Sequence, residues 1–314
     1  MQDPEQLWSR YWQDEGAGGE VFVDPSGGRH PALGTHWQSV FDSLADGASI
    51  IDIASGAGSI FAHLPSSHGF ALTAADLSPK ALEVLSGRFE GVHTLVCPAD
   101  AVPSPDQSFD LVVSQFGIEY AGVGAFAEAA RLVAPGGSFR ALVHIEDGYL
   151  DAPNQQKLAE AQLASDSHFI DHAIELINAV FAADATAIEH AEAAFEPASR
   201  ALAEALQRCP EGVHAHLLLG FRQLYERRAH YLAGDITGWL EAMRGEVDKA
   251  VLRLGEMRRA AMSAKDVEEI ATGLREAGLK SITIEHFFAP QHSRPLAWDI
   301  RARRSNQSPQ AGDQ

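Results

Sequence analysis

Short apolar runs alternate with helix-like segments over the first half of the chain. The runs ASIIDI, FALTAAD, VHTLVC, SFDLVVSQF and SFRALVHI are almost continuously apolar, which is typical of strands buried on both faces. Segments such as SPKALEVLSGRF and GAFAEAARLVA, which lie between them, have apolar residues at helical spacing. Ser78 and Pro79 provide an N-cap and a first-turn proline for the former. Helices are also predicted at residues 35–47, THWQSVFDSLADG, with Thr35 as cap, and at GSIFAHL, which starts at Gly58. The alternation predicts a parallel sheet covered by helices on both faces.

The pattern changes after Ile145. Residues 150–262 are rich in Ala, Glu, Leu and Arg, and they have helical periodicity without a run typical of a strand. A helix that starts at Ser263 and two apolar runs, KSITIEHFFAP and RPLAWDIRARR, then restore the earlier character. We therefore expect an α/β fold: a Rossmann-like, mostly parallel seven-stranded sheet with a large all-helical insertion after strand five.

These changes divide the chain into five segments. We expect an N-terminal helical cap at residues 1–44, a cofactor-binding core at 45–149 and the helical insertion at 150–262. A closing helix with a β-hairpin is expected at 263–304, and a disordered tail at 305–314. The insertion leaves from the carboxyl end of a strand, where ligands bind in parallel sheets. It is therefore expected to cover the substrate, to form a homodimer interface, or to do both.

Composition narrows the choice of partners. Forty-three acidic residues against 24 Lys and Arg give a formal charge of −19, which repels the phosphates of nucleic acids. The two cysteines, Cys97 and Cys209, are too few for a disulfide framework or a zinc cluster. The N-terminus lacks a signal-peptide pattern, and no apolar run approaches the ~20 residues of a membrane span. We expect a cytoplasmic protein that acts on a small molecule, without nucleic acid or membrane.

The stretch SIIDIASGAGSI runs from an apolar strand into Gly56 and Gly58. Glycines after a strand let the backbone approach a ligand closely, but the third glycine of a dinucleotide-binding loop is missing. Asp76 ends the second strand, at a position from which an acid can bind both hydroxyls of a ribose. Asp100 follows the third strand, from which an acceptor can reach the amine of an adenine. The pattern favours a nucleoside-containing cofactor.

Several stretches of the chain, in the order in which they occur, resemble the motifs of the class I S-adenosylmethionine-dependent methyltransferases. IIDIASGAG resembles the first motif of the family, with Ala54 in place of its first glycine, and LTAADLSPKAL resembles the second. CPADAVPSPDQSFDLVVSQFGIEY resembles the third and fourth motifs. ARLVAPGGSF and LREAGLKSITIEHF resemble the approaches to strand five and to the closing hairpin. The resemblance implies S-adenosyl-L-methionine as cofactor and S-adenosyl-L-homocysteine as product.

The resemblance also implies the cofactor-binding residues. Asp76 is expected on the ribose, and Asp100 and Ala101 are expected on the adenine. The expected residues around the methionine end are Asp52, Ala54, Gly56 and Gly58. The predicted set is completed by Ser55, Leu77, Ser114 and Tyr11.

The acceptor is less constrained by the sequence. SQFGIEY, at the end of strand four, lacks the motif of Asn or Asp, two prolines and an aromatic residue that enzymes methylating nucleic-acid amines often have there. We expect transfer to an oxygen, hydroxyl or carboxylate, of a small metabolite. The alternatives are N- or C-methylation of a small molecule, and a cofactor-binding protein without transferase activity.

His144 is the predicted catalytic residue, because it closes strand five at the edge where ligands bind. It would act as general base on a hydroxyl, with Glu146 as a candidate for orienting its ring, whereas a carboxylate acceptor needs no base. The alternative is that His144 only hydrogen-bonds the backbone. Glu119 and Tyr120 follow strand four, as substrate contacts or as a helix cap and a wall of the pocket.

Two further groups of side chains have a spacing typical of functional sites. His168 and His172 have the i, i+4 spacing of a metal pair, but they lack an intervening Glu and a third ligand, so no metal is expected. Trp8, Tyr11 and Trp12 form one aromatic face of a short helix. That face is expected either to cover the cofactor or simply to pack on the core.

Overall fold

The computed structural model describes residues 8, 9, 11, 12, 30–290 and 292–306. The chain divides into two compact units. The first comprises Met1–Leu150 with Ala260–Gln314, and the second is Asp151–Arg259. Most of the predicted cap at 1–44 and of the predicted tail at 305–314 lies outside the described residues.

The first unit is built on a seven-stranded sheet with the order β3-β2-β1-β4-β5-β7-β6. Strands β1 to β5 pair in parallel, whereas β7 is antiparallel to both β5 and β6. The predicted fold class is confirmed. The strands are β1 (Ser49–Ile53), β2 (Ala71–Asp76), β3 (His93–Val96), β4 (Phe109–Gln115), β5 (Val133–His144), β6 (Leu279–Phe287) and β7 (Ala297–Arg304).

Four helices and two 3-10 turns of this unit lie wholly within the described residues. They are α1 (Pro31–Phe41), α2 (Pro79–Arg88), α3 (Gly124–Leu132) and α9 (Ala264–Glu276), with turns at Phe61–His63 and Ile118–Ala121. One apolar cluster joins the sheet to α3 and α9, and a second joins it to α1 and α2. Ser78 caps α2 and Ser263 forms a capping box at α9, as predicted.

Two local predictions were wrong. The helix predicted at 35–47 spans Pro31–Phe41 instead, because Pro31 is suited to a first turn and the His30 side chain accepts a hydrogen bond from the Ala32 amide. The helix predicted after the glycine loop is only the turn Phe61–His63. Leu64 is extended before Pro65, and a residue that precedes proline disfavours helical backbone angles.

The second unit consists of five helices, as expected for the insertion. They are α4 (Asp151–Asp166), α5 (Phe169–Ala182), α6 (Ala185–Arg208), α7 (Val213–Glu226) and α8 (Ala233–Ala260). Phe169, Phe195 and Phe221 form an aromatic cluster in its core, with ring centroids 5.0–5.6 Å apart. None of the described helices combines the length and the apolar character that a membrane crossing requires.

Candidate functional site

The strand order of the sheet reverses at β1, which lies between β2 and β4. The carboxyl ends of the parallel strands therefore meet at one edge, and a crevice opens where the strand order reverses. The carboxyl-terminal halves of β1, β2, β4 and β5, together with the segments that follow β1, β2 and β4, contain most of the residues singled out from the sequence. The site has two parts, the β1–β2 end and the β4–β5 end.

The loop after β1 has an unusual backbone. Ala54, Gly56 and Gly58 all have positive φ angles, of 54°, 53° and 80°. This left-handed conformation is natural for glycine and costs an alanine roughly 1–2 kcal/mol. A side chain at Gly58 would also lie 2.9 Å from Phe89 and 3.1 Å from Leu85, so this glycine allows the loop to approach α2.

Asp76, at the end of β2, connects this loop to α2. Its two carboxylate oxygens accept hydrogen bonds from the backbone amides of Gly56 and Ser78, each at 2.8 Å. Burial raises the pKa of Asp76 to about 6, although the two amide hydrogen bonds favour the charged form. The carboxylate is thus held in a fixed orientation beside the glycine loop.

Asp52, near the end of β1, is in the opposite situation. Its side chain is 1% exposed, and neither carboxylate oxygen has a hydrogen-bond partner among the described residues. Burial, and to a lesser extent the charge of Asp76, raises its pKa well above the usual range. Buried polar groups are normally hydrogen-bonded, so a carboxylate without a partner at a ligand-binding edge indicates a place for a donor from a ligand.

The other predicted cofactor residues differ in their surroundings. Ser55 is buried in the loop after β1, Leu77 is half-buried after β2, and Asp100 and Ala101 are exposed after β3. Ser114 is fully buried, and its hydroxyl donates to the Ile53 carbonyl at 2.7 Å and accepts from the Ile118 amide at 3.1 Å. The hydroxyl of Ser114 therefore links β4 to β1 and to the turn that follows β4.

The described aromatic residues near the N-terminus lie against the same loop. Trp8, Ser9, Tyr11 and Trp12 are helical, and Trp12 packs against Gly56, where a Cβ atom would collide with its ring. Trp8 contacts the Tyr120 ring edge-on, with centroids 4.8 Å apart, and the Ser9 and Ser78 hydroxyls are 3.0 Å apart. The aromatic face thus packs on the loop after β1 and on the turn after β4.

A buried histidine–glutamate pair forms the β4–β5 end. His144 is the last residue of β5, and Glu119 lies in the 3-10 turn after β4. Glu119 Oε1 is 2.7 Å from His144 Nδ1 and also accepts the His144 backbone N–H at 2.9 Å. The two residues are each 2% exposed, and His144 Nε2 has no hydrogen-bond partner in the described part of the chain.

Aromatic rings and a glycine hold this pair in place. Phe116 and Tyr120 lie against the His144 ring, with centroid distances of 4.8 and 5.9 Å. Phe116 itself has a positive φ angle of 53°, an uncommon conformation for an aromatic residue. Gly117 packs so closely on Ala54 that a Cβ atom would lie 2.5 Å from the Ala54 carbonyl oxygen. The β4–β5 end and the loop after β1 are therefore in direct contact.

The structure corrects two sequence-based interpretations. Glu119, 25 residues away in sequence, bonds the His144 ring, whereas Glu146 is exposed. His168 and His172 do not lie on one helix, because His168 precedes α5 in a left-handed conformation. The Nδ1 atom of His168 lies 3.4 Å from a carboxylate oxygen of Asp171, and that of His172 lies 3.8 Å from a carboxylate oxygen of Glu175.

One family model matches part of the first unit. Residues 51–141 match the family model described as a methyltransferase domain. This segment runs from within β1 to within β5 and includes Asp52, Asp76 and Glu119. No curated protein matches the chain.

Solved structures show more distant likenesses. One match is a chain from a Haloferax volcanii complex, which joins the Trm112 methyltransferase activator to a provisionally assigned methyltransferase. That chain is 23% identical with a TM-score of 0.39, and the match covers 47% of this chain and 63% of that one. A provisionally assigned S-adenosylmethionine-dependent methyltransferase of Methanococcus maripaludis is 13% identical over 98% of both chains, with a TM-score of 0.49. A geranyl diphosphate C-methyltransferase of Streptomyces coelicolor is 15% identical with a TM-score of 0.38, covering 46% of this chain and 66% of that one.

Proposed function

We propose that this chain, a class I S-adenosylmethionine-dependent methyltransferase, transfers a methyl group to a hydroxyl oxygen of a small organic acceptor, with His144 as general base. The observation that supports this most is the buried imidazole of His144 at the carboxyl end of β5, whose Nε2 has no partner within the described residues. A nitrogen held in this way can receive a proton from a ligand.

The residues at the β1–β2 end fit the cofactor. The bare carboxylate of Asp52 suits the ammonium group at the methionine end, and the fixed carboxylate of Asp76 suits the ribose hydroxyls. The left-handed loop that contains Gly56 and Gly58 places backbone beside the Asp76 carboxylate, to which the Gly56 amide donates. The remaining proposed contacts are Ala54, Ser55, Leu77, Asp100, Ala101, Ser114 and Tyr11.

The chemistry explains why a base is needed. When bound, S-adenosylmethionine supplies an electrophilic methyl group on a positively charged sulfur. A neutral hydroxyl is a weak nucleophile, so its proton must leave as the oxygen–carbon bond forms. Nε2 of His144 takes that proton, and general-base assistance of this kind typically accelerates a reaction ~10²–10⁴-fold. Burial of the pair also keeps water from competing for the proton.

The size and charge of the protein favour a small acceptor over a macromolecular one. The formal charge of −19 opposes binding of nucleic-acid phosphates. The predictions that residues 150–262 cover the acceptor and form a homodimer interface stay predictions. Sedimentation velocity of the full chain over a range of concentrations tests the second of them.

The decisive test compares acceptors that differ only in the reacting group. The protein is incubated with methyl-labelled S-adenosylmethionine and pairs of aromatic and aliphatic compounds that carry either a hydroxyl or a carboxylate. We expect labelled methyl ethers from the hydroxyl members, and we expect His144→Ala to abolish most of this product while the exposed-site control His68→Ala does not. Methyl esters formed equally well by His144→Ala, or labelled nitrogen or carbon products, would contradict the proposal. Cofactor binding without any product would favour a non-catalytic role.

A further inference from the structure

Glu119 is placed where it can determine which nitrogen of His144 acts. It is the only carboxylate bonded to that ring among the described residues, and its side chain is completely buried. It reaches β5 from the 3-10 turn Ile118–Ala121, which follows the left-handed residue Phe116. Strained backbone next to a buried polar pair is typical of functional sites.

The hydrogen bonds indicate where the ring proton lies. Glu119 Oε1 accepts the His144 backbone N–H at 2.9 Å, so this oxygen serves as an acceptor. The ring contact of 2.7 Å to the same oxygen is then a hydrogen bond when Nδ1 carries the proton. In the neutral ring that tautomer leaves Nε2 with a free lone pair, at the atom that has no partner in the described chain.

The charge of Glu119 has a second consequence. When Nε2 takes a proton, the imidazole becomes a cation inside a site from which solvent is excluded. A carboxylate 2.7 Å away stabilises that cation, because hydrogen bonds between charged groups are roughly twice as strong as neutral ones. Glu119 would thus favour proton transfer without touching the acceptor.

We infer that Glu119 is a positioning residue that holds His144 in the Nδ1–H tautomer and balances the charge that His144 acquires during methyl transfer. The inference rests on the proposed function of His144. The step is balanced: the acceptor oxygen forms a bond to the methyl carbon, the carbon–sulfur bond breaks, and the acceptor proton passes to Nε2 and later to solvent.

The tautomer is measured first, without any acceptor. Long-range ¹H–¹⁵N correlation spectra of the full chain, labelled with ¹⁵N-histidine, distinguish a protonated from an unprotonated ring nitrogen, and His144→Gln identifies the signal. We expect the proton on Nδ1 in the native protein and in Glu119→Gln, whose side-chain oxygen still accepts. We expect a mixture of tautomers in Glu119→Ala. A native protein with its proton on Nε2 would overturn the inference.

Turnover is measured next on the best hydroxyl acceptor. Glu119→Gln should lower kcat roughly tenfold through loss of the charge, and Glu119→Ala should lower it further, towards the ~10²–10⁴-fold contribution of a general base. The KM for the acceptor should stay within about twofold. The matched control is Glu146→Gln, which removes an exposed carboxylate two residues from His144 and should change neither kcat nor the tautomer.

The two proposals fail in different ways. Unchanged kcat in Glu119→Gln overturns the role of Glu119, even if Glu119→Ala does not fold. Loss of turnover in His144→Ala together with normal turnover in Glu119→Gln leaves the base in place and removes Glu119 from the mechanism. Normal turnover in His144→Ala removes the base itself, and the claim for Glu119 in catalysis falls with it.

Discussion

Two buried carboxylates at the same edge of the sheet have opposite surroundings. Asp52, near the end of β1, is 1% exposed and has no hydrogen-bond partner among the described residues. Glu119, after β4, is 2% exposed, and its Oε1 accepts two hydrogen bonds from a single residue, His144, while its Oε2 has no partner among the described residues. A carboxylate without a partner raises the free energy of the folded protein until a ligand provides one, whereas a bonded carboxylate orients its neighbour.

The difference separates binding from chemistry. The β1–β2 end presents acids and glycine backbone, which suits recognition of a cofactor with a ribose and a positively charged end. The β4–β5 end presents a nitrogen that can accept a proton, held by its own carboxylate and by aromatic rings. Variants at the first end should therefore change cofactor affinity, and variants at the second should change the rate.

The largest change in affinity is expected for Asp76→Ala. This substitution removes the acceptor of the Gly56 and Ser78 amides as well as the proposed ribose contact. Loss of two proposed charge-assisted hydrogen bonds to the ribose hydroxyls corresponds to roughly a hundredfold weaker cofactor binding in calorimetry. Glu83→Ala, an exposed acid on α2, is the control and should bind normally. Equal affinity of Asp76→Ala and the native protein would remove Asp76 from the site.

Gly117→Ala tests the contact between the two ends. The new methyl group would lie 2.5 Å from the Ala54 carbonyl oxygen, so the loop after β1 must move. Overpacking of this kind costs about 1–3 kcal/mol in the free energy of unfolding, and cofactor affinity should fall with it. Gly124→Ala, at the start of α3 with open space around it, should be neutral or slightly stabilising in the same denaturation experiment. Equal free energies of unfolding for Gly117→Ala and Gly124→Ala would contradict the close contact between Gly117 and Ala54.

Asp52→Asn should weaken cofactor binding and stabilise the protein without cofactor. Replacement of the charged partner of the cofactor's ammonium group by a neutral one should lower the affinity for the cofactor roughly tenfold. The pKa values of Asp52 and Asp76 are raised in the folded state, so folding binds protons and stability falls as the pH rises through those pKa values. For Asp76, whose pKa rises to about 6, this loss amounts to roughly 2 kcal/mol between pH 4 and pH 7. Urea denaturation of Asp52→Asn should show a smaller loss over the same range; an unchanged pH dependence would mean that folding does not raise the pKa of Asp52.

The smallest effect is expected for Ala54→Gly. Relief of the left-handed alanine favours the folded state, and the greater freedom of glycine in the unfolded chain offsets part of the gain. The net increase in the free energy of unfolding should be up to about 1 kcal/mol, measured by denaturant titration. A clear loss of stability would mean that the Ala54 methyl group makes packing contacts worth more than the strain.

The sequence was a good guide where the signal is local. Apolar runs located the strands, and Ser78 and Ser263 located the starts of α2 and α9, because both signals depend on neighbouring residues. The start of α1 was misplaced because Thr35 is as good a cap in sequence as the His30–Pro31 pair that actually begins it. Glu119 was not recognised as the partner of His144, since only the pairing of β4 with β5 and the turn after β4 bring residues 25 positions apart into contact. Spacing along one strand suggested Glu146 instead.

Affinity and rate measured in the same variant, His144→Ala, test the division between the two ends most directly. Calorimetry gives the Kd for S-adenosylmethionine, and a single-turnover experiment with a hydroxyl acceptor gives the rate of methyl transfer. We predict a Kd within about twofold of the native protein and a rate lower by ~10²–10⁴-fold. A native rate with a weakened Kd would place His144 in the cofactor site and contradict the division between the two ends.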